Sequence, residues 1–243
     1  YIIIFIKKNL MTKVLILCGG LGTRIGHETK YKPKPMIKID DKPILWHVMK
    51  IYKKFGYNDF ILSAGYKYEM IKKYFKKNKD FNVKVVNTGL NTNTGGRVLL
   101  IKKFIKNDYF FMTYGDGLSD VNINKLLKFH LKNKGIATLT AVHPPVRFGE
   151  IKFNRNSIKS FVEKPQAGVG WINGGFFVLS KEIFNYINDK KTVFERNPLT
   201  KLSKKGKLFG YKHDGFWQCM DTVRDKNYLR KIIKVKRLNW LNY

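Results

Sequence analysis

Residues 13–24 read KVLILCGGLGTR, and this stretch decides the fold. Val14, Leu15, Ile16 and Leu17 form an unbroken apolar run between Lys13 and Cys18. It is too short for an ordinary helix and lacks the alternation of a strand with one wet face. Such a run is a strand buried on both faces, the habit of parallel sheets covered by helices. Gly19, Gly20 and Gly22 follow at once, so the strand ends in a turn whose backbone N–H groups a phosphate oxygen can approach closely. Open α/β sheets bind ligands at this end of their strands. The turn lacks the GK[ST] ending of a Walker loop, and Ile25 stands where GxGxxG has its last glycine. A plain tight turn and a phosphate cradle both fit three glycines. Thr23 and Arg24 favour the cradle, because a guanidinium can grip a phosphate with two hydrogen bonds.

Pro43 in a first turn, Leu45, Val48, Met49 and Tyr52 at helical spacing, and Gly56 as a stop predict a helix over 43–55. Strands are expected at 60–64, 82–86, 109–114 and 137–142, alternating with helices at 68–77, 96–105 and 121–132, the last capped by Asp120. This alternation predicts a doubly wound, mostly parallel, Rossmann-like α/β sheet. Beyond residue 142 come short strands at 150–153, 158–161 and 176–179, a helix at 194–204, a strand at 207–212 and a helix at 222–234. No repeat or linker interrupts the chain, so residues 11–243 are expected to form one domain, with halves at 11–142 and, smaller and β-rich, at 143–243. Residues 1–10 (YIIIFIKKNL) are apolar but shorter than the ~20 residues that span a bilayer. They lack the basic start and small-residue cleavage site of a signal peptide. They are expected to be a dispensable or non-native extension.

The 243-residue chain carries 48 Lys+Arg against 17 Asp+Glu, a net charge of +31. A nucleic-acid or anionic-membrane partner would account for this charge. So would a compositional bias, since Lys, Asn, Ile, Phe and Tyr are all abundant. The lysines are dispersed over outer helix faces (Lys72, Lys73, Lys76, Lys77; Lys102, Lys103, Lys106), which fits the bias better than one dense patch would. There is no zinc-finger spacing, basic heptad region or RNP motif, so no nucleic-acid partner is expected. Two cysteines, Cys18 and Cys219, without CxxC, fit a reducing compartment and exclude a disulfide scaffold.

Four further clusters carry chemistry. In Lys32-Pro33-Lys34-Pro35 the flanking prolines predict a stiffly extended Lys34 whose amine is pre-ordered for a phosphate. Asp116, between Gly115 and Gly117 at a strand end, suits a magnesium ion held over phosphates or an ordinary turn. Asp221 is a second candidate acid, or a helix cap. Glu163-Lys164 offers paired charges for a sugar phosphate. Asn173 beside Gly174 and Gly175 reads as a sugar-hydroxyl contact or a β-bulge.

In order, GGLGTR, KPKPM, TGGR (94–97), TYGDG, PPVRFGE (144–150), EKP, INGGFFVL and GFWQCMDTVRDK resemble the sugar nucleotidyltransferase family, on its cytidylyltransferase branch, over nearly the whole chain from Met11. The resemblance implies that residues 11–142 bind a nucleoside triphosphate. Leu17, Cys18, Gly19, Gly20, Gly22 and Thr23 would line its site, with Arg24 and Lys34 on the phosphates. Thr94, Gly95, Gly96 and Arg97 stand where relatives read the base. Residues 143–243 would bind a sugar 1-phosphate through Gly149, Glu163, Lys164, Asn173 and Gly175, with Lys164 on the phosphate. Asp116 and Asp221 would hold Mg²⁺, and Arg24, Lys34 and Asp116 would be catalytic.

The implied reaction joins CTP to α-D-glucose 1-phosphate, giving CDP-glucose and pyrophosphate for deoxysugar and surface-polysaccharide synthesis. UTP, dTTP, GTP or another sugar phosphate remain alternatives. A cytoplasmic homo-oligomer without a membrane partner is implied as well. The chain departs from the branch in two places: the segment between residues 78 and 81 is cut short, and Cys219 replaces a proline.

Overall fold

The computed structural model describes residues 12–145, 150–162 and 170–235. The expectations about residues 1–10, and about Gly149, Glu163 and Lys164, fall outside these. The decisive run forms β1 (Val14–Cys18), every residue of which is buried. Val14, Ile16 and Cys18 pack into a core on one face of the sheet, while Leu15 and Leu17 pack into a second core on the other. Apolar residues at all these positions are what a strand covered on both faces requires.

Helix α1 (Ile44–Lys54) leads to β2 (Asp59–Ala64), and α2 (Tyr68–Lys77) to β3 (Asn82–Asn87). Helix α3 (Thr94–Leu100) precedes β4 (Tyr109–Tyr114), followed by a short β5 (Gly117–Ser119). Then come α4 (Ile123–Asn133), β6 (Ala137–Val142) and a hairpin of β7 (Glu150–Asn154) and β8 (Ser157–Val162). The chain continues through β9 (Ile172–Ser180), α5 (Asn197–Lys204), β10 (Leu208–His213), β11 (Trp217–Cys219) and α6 (Val223–Val235).

Seven strands form the main sheet in the order β10-β6-β9-β4-β1-β2-β3. All are parallel except β9, which runs antiparallel between β4 and β6. The doubly wound, mostly parallel sheet is therefore present, and β9 and β10 of the second half complete it. Antiparallel pairs β7–β8 and β5–β11 add the β-rich part. From β1 the chain winds to β2 and β3 on one side and then to β4 on the other. That reversal opens a crevice at the carboxyl ends of β1 and β4, where sheets of this type receive ligands. Among the described residues, no helix is long and apolar enough to cross a membrane.

Three local expectations are corrected. Asp120 does not cap α4: Asn122 does, its side chain accepting from Lys125 N at 2.9 Å, while Asp120 faces His213 at 2.9 Å. The helix expected over 96–105 begins earlier, at Thr94, and stops at Leu100 before a separate 3-10 turn Lys102–Phe104. Lys34 is not extended but opens a 3-10 turn, Lys34–Met36. One turn needs donors only from Met36 N, to Pro33 O at 2.8 Å, and Ile37 N, to Lys34 O at 3.0 Å. Pro35 therefore sits inside it without a missing bond.

Candidate active site

The crevice is a cavity of about 740 Å³ whose floor is the glycine turn after β1. Leu17, Cys18, Gly19, Gly20, Gly22 and Thr23 all line it, with Arg24 and Lys34. Gly22 carries φ +68, and a Cβ there would come within 2.6 Å of the Lys34 Cβ. Glycine is thus required both for the turn and for seating the lysine stem.

Across the cavity stand Asp116, between β4 and β5, and Asp221, between β11 and α6. Backbone bonds bring the two together. Cys219 pairs with Gly117 across β5–β11, and Met220 N donates to Asp116 O at 2.9 Å. Asp221 is not the cap of α6. Thr222 and Asp225 form a reciprocal capping box: Asp225 N donates to Thr222 Oγ1 at 3.2 Å and Thr222 N to Asp225 Oδ2 at 2.8 Å. The same Asp225 oxygen accepts from Asp221 N at 3.1 Å, which leaves the Asp221 carboxylate to face the cavity.

Lys34 Nζ lies between the carboxylates, 2.5 Å from Asp116 Oδ2 and 2.6 Å from Asp221 Oδ1. Burial by itself would lower the Lys34 pKa, but Asp116 and Asp221 more than offset it and hold the value above that of an ordinary lysine. Arg24 Nη1 reaches Asp221 Oδ2 at 2.8 Å with its side chain 75% exposed. That pair is screened by solvent and free to rearrange. Two hard carboxylates already sharing a cation form a fitting donor set for Mg²⁺, which typically takes one or two protein carboxylates and fills its shell with water and substrate phosphates. Among the described residues no cluster of three or more His, Cys, Asp or Glu forms an all-protein metal cage.

The 94–97 segment divides. Thr94 and Arg97 line the cavity, whereas Gly95 and Gly96 are buried behind it. Both glycine N–H groups donate to Thr192 O, at 2.9 and 3.3 Å, and a Cβ on either would strike the backbone of 190–192. Those glycines permit close chain packing. Arg97 is 4% exposed and ties the cavity floor together, donating to Thr88 Oγ1 (2.6 Å), Gly19 O (3.0 Å), Leu90 O (3.3 Å) and Ala64 O (3.4 Å). Arg97→Ala would remove all four bonds at once, although Gly19 O keeps Tyr66 N, Ala64 O keeps Thr88 N and Oγ1, and Thr88 Oγ1 keeps Ser63 Oγ as donors. The expected loss is about 1.5–3 kcal/mol of unfolding free energy, the range for hydrogen bonds from a charged donor, read from denaturant titration. A change below about 0.5 kcal/mol, the range of a neutral surface substitution, would show that the guanidinium does not brace the floor.

Asn173 and Gly175 do not line the cavity directly. They belong to a register shift in the β9–β6 pairing, where Asn173 Oδ1 accepts from Gly175 N at 2.9 Å. Asn173 Nδ2 lies 3.5 Å from the Tyr114 hydroxyl, which links this bulge to the cavity wall.

Sequence reasoning missed Glu195, also on that wall. Its carboxylate accepts from Thr94 Oγ1 at 2.6 Å and Tyr114 Oη at 2.5 Å. Burial, then the Glu195 charge, push the Tyr114 pKa up, so the phenol stays protonated and donates. Trp217, which donates to Gly174 O at 2.7 Å, was missed too. Local sequence carries no sign of either role. Glu195 precedes a helix start, where an acid is common, and its partners lie 101 and 81 residues away.

The family model described as nucleotidyl transferase matches residues 13–222. The chain is 41% identical to the glucose-1-phosphate cytidylyltransferase of Salmonella typhimurium over 252 aligned residues, covering 94% of this chain and 98% of the relative. It is also 41% identical to the probable glucose-1-phosphate cytidylyltransferase of Bacillus subtilis, covering 88% and 92%. The crystal structure of HddC from Yersinia pseudotuberculosis superposes with a TM-score of 0.74 at 28% identity, over 92% of this chain and all of the other.

Proposed function

The chain belongs to the nucleotidyl transferase family, and from that premise we propose that it transfers the cytidylyl group of CTP to glucose 1-phosphate, releasing pyrophosphate and forming CDP-glucose with Mg²⁺. The observation that carries the reading is the meeting of the glycine turn, Lys34, Asp116 and Asp221 in one cavity at the switch point of the sheet. CTP and glucose 1-phosphate are taken from the names of the two cytidylyltransferase relatives.

In the proposed reaction a sugar-phosphate oxygen attacks the α-phosphorus in line and pyrophosphate leaves. The attacking oxygen is already anionic, so neither a strong base nor a covalent enzyme intermediate is required. Catalysis then consists of positioning and charge neutralisation. The turn from Gly19 to Thr23 offers backbone donors to the triphosphate. Arg24 and Lys34 stabilise charge on the transferring and leaving groups. Asp116 and Asp221 would hold Mg²⁺, which when bound neutralises phosphate charge and orients the groups. Thr94 is assigned to the nucleotide side and Arg97 to bracing the turn beneath it. Glu163 and Asn173 are assigned to sugar hydroxyls, Lys164 to the sugar phosphate, and Gly149 and Gly175 to the same half of the site. Residues 11–142 thereby serve the nucleotide and 143–243 the sugar phosphate. We place the enzyme in the cytoplasm as a homo-oligomer.

A panel of CTP, UTP, dTTP, GTP and ATP against hexose 1-phosphates, followed by pyrophosphate release, tests this. CTP with glucose 1-phosphate is expected to exceed every other pair by about tenfold or more, since a site built to hydrogen-bond one base rejects the others. A preference for another triphosphate would overturn the base assignment. Absence of release from every pair would overturn the proposed substrates.

A further inference from the structure

Resting on that reading of the site, we propose that Lys34 is the resident cation of the metal seat in the free protein, and that metal and triphosphate bind cooperatively because the triphosphate draws Lys34 away. The ammonium bonds to one oxygen of each carboxylate, Asp116 Oδ2 at 2.5 Å and Asp221 Oδ1 at 2.6 Å. Two carboxylates held this close repel one another unless a cation lies between them. A divalent ion seeking the same oxygens must therefore displace an ammonium that is already desolvated and paired.

The seat does not depend on Lys34 for its shape. Asp116 and Asp221 are carried by paired strands, with Cys219 opposite Gly117 and Met220 N bonded to Asp116 O. Asp225 secures the Asp221 backbone from the other side. When the lysine leaves, the two carboxylates remain in place.

Lys34 also has somewhere to go. Its side chain shares the cavity with Gly19, Gly20, Gly22 and Thr23, where a triphosphate offers new anionic oxygens to the same ammonium. A flexible four-carbon stem allows the head to move while the backbone turn stays fixed. Arg24, paired with Asp221 at 2.8 Å from an exposed position, can follow. The incoming nucleotide thus removes one cation from the carboxylates as its own metal arrives. By linkage, nucleotide strengthens metal binding and metal strengthens nucleotide binding by the same factor.

The test titrates Mn²⁺ into the free wild-type protein and into Lys34→Met, following unbound Mn²⁺ by electron paramagnetic resonance without nucleotide. Lys34→Met is expected to bind Mn²⁺ about tenfold tighter or more, a typical size for such coupling. The Lys34→Met/Asp116→Asn double variant is expected to lose the gain. Lys34→Gln, which keeps a hydrogen-bond donor without the charge, gives the same comparison if the methionine variant is unstable. Circular dichroism confirms the fold of each. Equal or weaker Mn²⁺ affinity in the lysine variants, or a gain that survives Asp116→Asn, overturns the proposal. Wild-type turnover with an unchanged Mn²⁺ affinity in the variants would sink this inference alone. Tightened Mn²⁺ binding without any pyrophosphate release would sink the substrate reading alone.

Discussion

Asp116→Asn is expected to lower kcat for pyrophosphate release by about a thousandfold, at the upper end of what loss of one pre-organised electrostatic group costs. The amide is nearly isosteric with the carboxylate, so the local fold survives. The bond from Met220 N reaches the Asp116 main-chain oxygen, which the substitution leaves intact. What changes is charge. An amide oxygen is a poorer ligand for a hard divalent cation than a carboxylate, and Lys34 loses one of its two counter-ions. The melting temperature should move little, because the Asp116 side chain is a quarter exposed and Lys34 keeps its bond to Asp221. The measurement is a coupled pyrophosphate assay at saturating and sub-saturating Mg²⁺, alongside thermal unfolding. Near-full activity at sub-saturating Mg²⁺ would remove Asp116 from the metal pair. Asp221→Asn should act in the same direction.

Lys34→Ala is expected to reduce kcat by about a hundredfold or more, with a smaller change in KM for the sugar phosphate. A contact made mainly in the transition state lowers kcat, whereas loss of uniform binding raises KM. Lys34 lies on the triphosphate side of the cavity, where charge develops during transfer, so the first pattern is expected. The loss should persist at saturating metal, because metal filling the vacated seat does not replace a cation on the phosphates. A rise in KM alone would move Lys34 to the sugar phosphate.

The pH behaviour of wild type follows from the same geometry. Asp116 and Asp221 hold the folded Lys34 pKa above its ordinary 10.5. Its pairing therefore contributes stability in full below that value and loses it only as pH rises through the higher folded value. In the free protein the ammonium stays charged across the neutral range, so no pH change there should mimic the alanine variant.

The sequence by itself determined the frame. A continuous apolar run followed by glycines specifies a strand buried on both faces and a turn at its carboxyl end, because burial and backbone freedom are local properties. Residues 13–24 therefore settled the sheet type and placed the cavity floor. The carboxylate of Asp116 between glycines and the order of the motifs settled the family. Tertiary structure decided how these pieces meet. Lys34 bonds to residues 82 and 187 positions away, and no local pattern encodes that a lysine and two aspartates share one cation seat. The prolines around Lys34 suggested extension, yet a single 3-10 turn accommodates them once Gly22 makes room for the stem. Gly95 and Gly96 stood where relatives read the base, but they are buried behind the cavity and their N–H groups donate to Thr192 O. Arg97 suggested a nucleotide contact; it lines the cavity, and the folded chain adds bonds from its guanidinium to the floor at Thr88 Oγ1 and Gly19 O. Glu195 lay inside the helix expected over 194–204 and suggested no site role, whereas the observed helix begins only at Asn197. Each of these roles depends on which distant oxygen lies within hydrogen-bond range, and only the folded chain sets that distance.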